Sequence, residues 1–154
     1  MTLKSLPDNC TNPIAALAFD YGTQRIGVAF GQSITGTARA VTVIKARDGI
    51  PDWERVQQLL DEWKPDLCVV GLPFNLDGSE SDLLNRAIKF ANRLNGRFEI
   101  PCFGMDERLS SKAAMERVVE DNNAKKHPAI DDVAAQIILE NWFAEFARKA
   151  NQPA

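Results

Sequence analysis

Apolar and polar residues alternate along this chain in a pattern that predicts strands first and helices later. Three apolar runs, 15–20, 26–31 and 37–45, are separated by gaps too short for a helix, so we expect a meander of three antiparallel strands. Apolar residues recur at helical spacing over 52–63, which predicts the first helix. The continuous apolar run 67–71 predicts a strand that is buried on both faces.

The second half of the chain alternates helices with strands. Ser79 is the expected cap of a second helix that runs to about Asn95, with Gly96 as its stop. A strand over 100–105 follows, then a helix that Ser110 or Ser111 could cap. After a polar loop, the last helix covers 130 to about 149. The predicted fold class is therefore α/β: a five-stranded mixed sheet covered by helices.

Length and composition are those of one ordinary globular domain. The chain has 154 residues, of which 45% are hydrophobic and 25% are charged, so it can bury a sizeable core. We expect residues 1–13 to form a flexible lead and 14–150 a single domain. No apolar run approaches the roughly 18 residues of a membrane span, so no membrane partner is expected. The three cysteines form no CxxC motif, and free thiols in a reducing cytoplasm are expected.

Three carboxylates fall at the ends of predicted elements. Asp20 ends the first strand, Glu107 follows the fifth, and Asp131 lies in the first turn of the last helix. Ligands of an open α/β sheet gather beyond the carboxyl ends of its parallel strands, so these side chains could face one site. Clustered carboxylates raise one another's pKa, and a divalent cation removes that cost. The pattern therefore predicts an all-oxygen site for Mg²⁺ or Mn²⁺ in a metal-dependent nuclease.

Each of these three assignments has a structural alternative. Asp20 could serve the turn that follows it, Glu107 could pair with a neighbouring arginine, and Asp131 could cap its helix. Asp106 and Asp132 stand beside the second and third acids and leave the choice within each pair open. Because side chains alternate along a strand, only one residue of the first pair can face the site.

The charge distribution is compatible with a nucleic-acid partner. The net charge of -3 argues mildly against bulk binding, but residues 86–126 contain nine Lys and Arg against six Asp and Glu. This local excess of positive charge could belong to solvated helix faces. It could equally form a phosphate-contacting side next to the acidic residues.

Four sequence motifs in order resemble those of the YqgF (RuvX) family of the RNase H-like superfamily. They are FDYGTQRIGVA over 19–29, GLPFNLDG over 71–78, DERLSS over 106–111 and IDDVAAQIIL over 130–139. Together they cover residues 15 to about 143. The ordered set is far more specific than any one of the four motifs.

The resemblance implies a fold and a class of activity. The fold would be RNase H-like, with helices on both faces of the sheet, and residues 14–150 would form one nuclease domain. The family is linked to maturation of the 5′ end of precursor 16S ribosomal RNA during ribosome biogenesis. It is also described as a Holliday junction resolvase, by analogy with other members of the superfamily. Both activities would make the protein a cytoplasmic hydrolase.

The resemblance also assigns site residues. It makes Asp20, Glu107 and Asp131 the catalytic residues and metal ligands, with Mg²⁺ or Mn²⁺ as cofactor; Asp131 is preferred to Asp132 because the acid of the motif directly follows an apolar residue. The expected substrate contacts are Gly22, Arg25, Asn75 and Arg108. Each of these four also has a structural reading, as a turn residue or as an ion-pair partner. The chain departs from the family at His127-Pro128, where basic residues and glycine are more usual.

The leading hypothesis is a nuclease acting on structured RNA, and three alternatives remain open. A DNA junction resolvase would cut two symmetric strands and would need a dimer. A non-catalytic RNA- or ribosome-binding factor could retain the fold. The turn over 20–23 also resembles the phosphate-binding turn of actin-like ATPases, but those proteins need two such domains. The expected partners are precursor rRNA or branched DNA, with or without ribosomal particles, and the protein is expected as a monomer or a homodimer.

Overall fold

The computed structural model describes residues 3–75, 77–107 and 130–151, and its first strands form the predicted meander. β1 (Ala15–Asp20) pairs antiparallel with β2 (Arg25–Gln32), which pairs antiparallel with β3 (Thr37–Arg47). The chain then turns back into β4 (Ile50–Pro51), a two-residue strand against the end of β3. Within the described ranges the sheet therefore has six strands where the sequence predicts five, because apolar alternation cannot distinguish so short a strand from a turn.

The remaining elements alternate between helices and strands as predicted. They are α1 (Trp53–Trp63), β5 (Leu67–Leu72), α2 (Asp82–Phe98), β6 (Cys102–Asp106) and α3 (Ile130–Ala150). The strand order is β4-β3-β2-β1-β5-β6. β5 is parallel to both of its neighbours, β1 and β6, so the carboxyl ends of these three strands meet at one edge of the sheet.

The two faces of the sheet carry separate apolar cores. Along β1, Leu17 and Phe19 join the core on the side of α1 and α2, whereas Ala16 and Ala18 join the core on the side of α3. This alternation is the period of two that a strand imposes on its side chains. The small alanines leave room for the bulky residues of α3, of which Trp142 is fully buried. Helices thus cover both faces, which confirms the predicted mixed sheet.

The ends of α2 differ from the prediction. Ser81, not Ser79, caps the helix, because its hydroxyl oxygen accepts a hydrogen bond from the backbone N–H of Leu84 at 3.0 Å. The helix continues through Gly96 to Phe98, and Glu99 with φ +55° closes it in the left-handed conformation. Propensity favours glycine at that position, but the chain uses a glutamate there, three residues after the predicted stop at Gly96.

The first part of the predicted lead contacts the domain. The carbonyl oxygen of Lys4 accepts from the N–H of Gly104 at 2.8 Å, and that of Ser5 accepts from the indole N–H of Trp142 at 2.7 Å. The ammonium group of Lys149 donates to the carbonyl oxygen of Pro7 at 2.7 Å. These bonds attach the segment to β6 and α3, and its flexibility stays a prediction.

Two further expectations concern the cysteines and the membrane. All three cysteines are free, with Cys68 buried and Cys10 and Cys102 half-buried. Among the helices that the structure describes, none is both long enough and apolar enough to cross a bilayer. The helix predicted after Ser110 or Ser111 and the polar loop after it lie outside the described residues.

The position of Gly96 inside α2 gives a stability prediction. Gly96→Ala should raise the free energy of unfolding by about 0.5–1 kcal/mol, because alanine loses less backbone entropy than glycine in a helix. A Cβ at this exposed position meets no other atom within 4 Å. Urea denaturation monitored by circular dichroism measures the change. A loss of stability would contradict the structure, since it would indicate a left-handed stop at Gly96. The matched variant Glu99→Gly should be neutral or stabilising, because φ is positive there.

Candidate active site at the carboxyl edge of the sheet

Two of the three predicted acids come together at the shared edge of the parallel strands. Asp20 is the last residue of β1, and Glu107 directly follows β6. Both continue the alternation of the side chains that face α3, since Ala18 and Met105 belong to the core on that side. The carboxyl group of Glu107 forms a hydrogen bond with that of Asp20. A bond between two carboxyl groups needs one proton, so the pair shares a single site for a proton or a cation.

Burial controls the ionisation of Glu107. It raises the pKa of the Glu107 carboxyl above the ordinary value of 4.5; the hydrogen bond with Asp20 acts in the opposite direction, and the negative charge of Asp106 raises the pKa further. Because the pKa is higher in the folded state, the resulting stabilisation is fully present below pH 4.5 and is lost as the pH rises through the raised value. Ionisation of Glu107 in the folded protein therefore costs stability, and a bound cation would offset that cost.

Gly71 on β5 provides the space between the two acids. Phe19 pairs with Val70, so Asp20 and Gly71 are the next positions in register, and on its other side Gly71 pairs with Met105. A Cβ on Gly71 would lie 2.5 Å from Cδ1 of Ile138 and 3.0 Å from Oε1 of Glu107. Only glycine leaves room for both α3 and the Glu107 carboxylate. The sequence analysis did not assign Gly71 to the site, although a glycine that ends an entirely buried strand is a signal for such close approach.

The course of α3 brings its first turn to the same edge. Ile138 packs against Gly71 near the carboxyl end of β5, whereas Phe143 lies against Gly31, which pairs with Ala16 near the amino end of β1. The helix therefore runs from the carboxyl edge toward the opposite edge, and the residues before Ile138 extend past Asp20 and Glu107.

The third predicted ligand, Asp131, is described by its backbone alone. The backbone of Asp131 lies in the first turn of α3, but the side chains of Asp131 and Asp132 lie outside the described residues. Within the described part of the chain, no three His, Cys, Asp or Glu residues form a group that could hold a metal. The acidic triad therefore stays a prediction, of which the structure brings two members together.

The structure distinguishes Glu107 from its neighbour Asp106. Glu107 contacts Asp20, whereas Asp106 lines a different cavity of about 200 Å³ beside the N-terminal segment. That cavity is also lined by Ser5 and Trp142. The two adjacent acids thus have different neighbours, although the negative charge of Asp106 still acts on the pKa of Glu107.

The predicted substrate contacts have structural roles as well. A Cβ on Gly22 would lie 2.5 Å from the carbonyl oxygen of Arg25, so glycine is needed to close the turn between β1 and β2. Arg25 begins β2, is exposed, and pairs in register with Lys45 on β3. Both positions lie at the edge that carries Asp20.

Asn75 lies in an exposed turn that follows β5. Its side-chain amide donates to the hydroxyl oxygen of Ser79 at 2.9 Å, and its backbone carbonyl oxygen accepts from the backbone N–H of Gly78 at 2.8 Å. These bonds are ordinary turn chemistry, and they hold Asn75 at the carboxyl edge. Arg108, the fourth predicted contact, lies outside the described residues.

The fold defines a class of protein. An RNase H-like sheet of this kind is found in the RuvC protein of Thermus thermophilus, whose structure in complex with a Holliday junction substrate matches with a TM-score of 0.60. The match covers 90% of this chain and 97% of that one, at 16% identity. The predicted RNase H-like fold class is thus confirmed.

The chain belongs to the RuvX family, as its motifs indicate. The family model, described as a Holliday junction resolvase, matches residues 14–145. A protein of Haemophilus influenzae (strain PittGG) is 54% identical over 132 residues, which cover 84% of this chain and 95% of that protein. A protein of Pseudomonas paraeruginosa (strain DSM 24068 / PA7) is 52% identical over 131 residues, which cover 84% of this chain and 91% of that protein. Both are named "Putative pre-16S rRNA nuclease".

The packing around Gly71 predicts a selective loss of activity. Gly71→Ala should lower the free energy of unfolding by about 1–3 kcal/mol through overpacking, and it should also displace the Glu107 carboxylate and reduce nuclease activity. Gly104→Ala is the matched control, because its Cβ would lie 2.5 Å from Cδ1 of Leu72 and has no carboxylate among its nearest neighbours. Chemical denaturation and a cleavage assay measure the two effects. If Gly71→Ala and Gly104→Ala lose the same stability and also the same activity, the result would contradict a role for Gly71 in shaping the site.

Proposed function

We propose that the protein is a divalent-metal-dependent nuclease whose catalytic residues and metal ligands are Asp20, Glu107 and Asp131. The observation that carries the proposal is the hydrogen bond between the carboxyl groups of Asp20 and the half-buried Glu107. Two carboxylates that compete for one proton in a half-buried site form an arrangement that a cation stabilises. The Asp131 backbone, at the start of a helix that leads to the same edge, supports the third assignment.

The residues present fit Mg²⁺ or Mn²⁺. Carboxylate oxygens are the ligands that both ions prefer, and the site needs few protein ligands because waters and substrate phosphates complete the shell. When bound, such an ion polarises the scissile phosphate and lowers the pKa of a coordinated water. Asp20 and Glu107 would hold the cation at the sheet edge, while Gly71 keeps the space between β1 and β6 open.

The substrate that we propose is the precursor of 16S ribosomal RNA. The printed names of the 52–54% identical relatives support this choice, since those proteins are named for pre-16S rRNA. The protein would hydrolyse phosphodiester bonds near the 5′ end of the precursor in the cytoplasm, free or on ribosomal particles. Gly22, Arg25 and Asn75 would contact the RNA backbone from the edge that carries the acids, and Arg108 is the fourth proposed contact.

A four-way DNA junction is the second candidate substrate. The description of the RuvX family as Holliday junction resolvases favours it. A resolvase cuts two symmetric strands and so requires two copies of the site. Size-exclusion chromatography with a junction present tests that requirement: a monomer that stays monomeric on the junction would remove this candidate.

A paired cleavage assay tests the proposed activity. A 5′-extended 16S rRNA precursor and a four-way junction are each incubated with the protein and Mg²⁺ or Mn²⁺. We expect cleavage of the RNA, and we expect Asp20→Asn to reduce it at least about a hundredfold, because the variant loses a metal ligand. Asp106→Asn is the matched control, since Asp106 lines a different cavity, and it should retain most of the activity.

The outcomes of this assay separate the candidates. Cleavage that survives Asp20→Asn contradicts the catalytic assignment. Cleavage of the junction alone replaces the RNA by branched DNA as the substrate. If neither nucleic acid is cut by the isolated protein or on ribosomal particles, the fold serves a non-catalytic RNA-binding role.

A further inference from the structure

A basic cleft lies between α2 and the hairpin of β3 and β4. Its volume is about 220 Å³, and we refer to it as the α2 cleft. One wall is formed by three cationic side chains of α2, and the other by the tip of the hairpin, with Tyr21 between them. The lining residues are Tyr21, Asp48, Gly49, Ile50, Arg86, Lys89 and Arg93. Three positive side chains thus face a single carboxylate.

The cations are arranged along one side of the helix. Arg86, Lys89 and Arg93 are spaced at i, i+3 and i+7, which places them in a row about 10 Å long. Lys89 and Arg93 are exposed, and neither has an ion-pair partner within the part of the chain that the structure describes. Two exposed cations without an ion-pair partner in the described part of an otherwise acidic chain suit a ligand that carries several negative charges.

Arg86 has a different role from the other two cations. Its guanidinium group donates to Oδ1 of Asp48 at 3.1 Å and lies 3.3 Å from Oδ2 of Asp82. These contacts hold the side chain across the cleft between α2 and the hairpin. Arg86 therefore shapes the cleft, while Lys89 and Arg93 supply the uncompensated charge.

The floor of the cleft is formed by Tyr21 and Gly49, which are joined by a hydrogen bond. The hydroxyl group of the buried Tyr21 donates to the carbonyl oxygen of Gly49 at 2.8 Å. Gly49 has φ +83°, and a Cβ there would overlap the Tyr21 hydroxyl group. Burial raises the pKa of Tyr21, and the positive charges of Arg86 and Arg93 lower it in part. Both guanidinium groups therefore lie near this floor. The cleft is thus built from contacts between three elements of the fold.

The α2 cleft is next to the acidic edge but on the opposite face of the sheet. Tyr21 directly follows Asp20, and successive residues of a strand point to opposite faces. The N–H of Gly49 donates to the carbonyl oxygen of Thr23 at 2.8 Å, which ties the hairpin to the turn after Asp20. A polyanion that reaches Asp20 and Glu107 therefore passes close to the cleft when it bends around the edge.

We propose that the α2 cleft binds the sugar-phosphate backbone of a nucleic acid through Lys89 and Arg93, outside the acidic site. The proposal rests on the proposed function in taking a nucleic acid as the ligand. Carboxylates at the sheet edge repel phosphates, and cations elsewhere on the surface offset that repulsion and add affinity. Lys89 and Arg93 are separated by about 6 Å along the helix axis, which is close to the rise of roughly two nucleotides along a duplex strand. Contacts of this kind position the substrate without reading its sequence.

The test measures binding without cleavage. Fluorescence anisotropy follows a labelled single-stranded RNA and a labelled four-way DNA junction at several KCl concentrations, with divalent cations chelated. The variant is Lys89→Gln with Arg93→Gln, because glutamine removes the charge and keeps a good helix former at exposed positions. The matched control is Lys64→Gln with Arg148→Gln, which makes the same change of charge at exposed sites outside the cleft. Circular dichroism checks that both variants retain the fold.

The expected result is a loss of affinity in the cleft variant alone. We expect its Kd for at least one of the two probes to rise about tenfold or more, and the slope of log Kd against log salt for single-stranded RNA to fall by about 1.4, the value for two lost phosphate contacts. The control should bind like the parent. Parent-like binding by the cleft variant, or an equal loss in the control, would overturn the proposal. Competition by a polyglutamate peptide stronger than that by unlabelled RNA would also overturn it, in favour of an acidic protein.

These readouts are separate from the nuclease assay. Binding that depends on Lys89 and Arg93 without any cleavage would contradict the proposed nuclease and leave the cleft assigned. Cleavage that depends on Asp20, together with parent-like binding by the cleft variant, would contradict the proposed role of the cleft and support the proposed nuclease.

Discussion

The candidate site depends on the parallel pairing of β5 with both β1 and β6. Three parallel strands end at one edge, so two acids that are 87 positions apart in sequence, Asp20 and Glu107, can form a hydrogen bond. Antiparallel pairing at either contact would send one of the acids to the opposite edge. The helix crossover between β5 and β6 and the core beneath α2 make this parallel arrangement possible. The polar site is therefore a consequence of apolar packing on both faces.

The same edge separates opposite charges onto the two faces of the sheet. Asp20 points toward the side of α3, where burial opposes the ionisation of Glu107. Its neighbour Tyr21 points toward α2, where Arg86 and Arg93 lie. A single step along the strand thus changes the environment from acidic to basic. This arrangement suits the proposed nuclease, because the acids would bind a cation while the cationic side chains on the other face would bind a polyanionic substrate.

Much of this architecture could be predicted from the sequence. The apolar runs of β1 and β5 predicted the bounds of both strands to within one residue. The position of Glu107 followed from its place at the end of an apolar run. Local sequence was less informative where tertiary contacts decide: Gly96 resembles a helix stop, yet α2 continues to Phe98 because the left-handed cap is formed by Glu99.

The sequence analysis missed residues whose role depends on which other residues surround them in the fold. Gly71 has no chemistry of its own, and its importance appears only when Ile138 and Glu107 are seen on either side of it. Lys89 and Arg93 look like ordinary exposed residues of an amphipathic helix until the hairpin that carries Gly49 is placed opposite them. Such roles depend on contacts between elements that are distant in sequence, which local patterns do not encode.

Calorimetric titration with Mn²⁺ is the most direct test of the central claim that Asp20 and Glu107 form a cation site. The account predicts saturable uptake by the protein, no uptake by Glu107→Gln, and uptake like that of the parent by Asp106→Asn. Uptake should weaken as the pH falls, because a proton on Glu107, whose pKa is raised, competes with the cation. No uptake by the parent protein, or uptake that survives Glu107→Gln, would contradict the account.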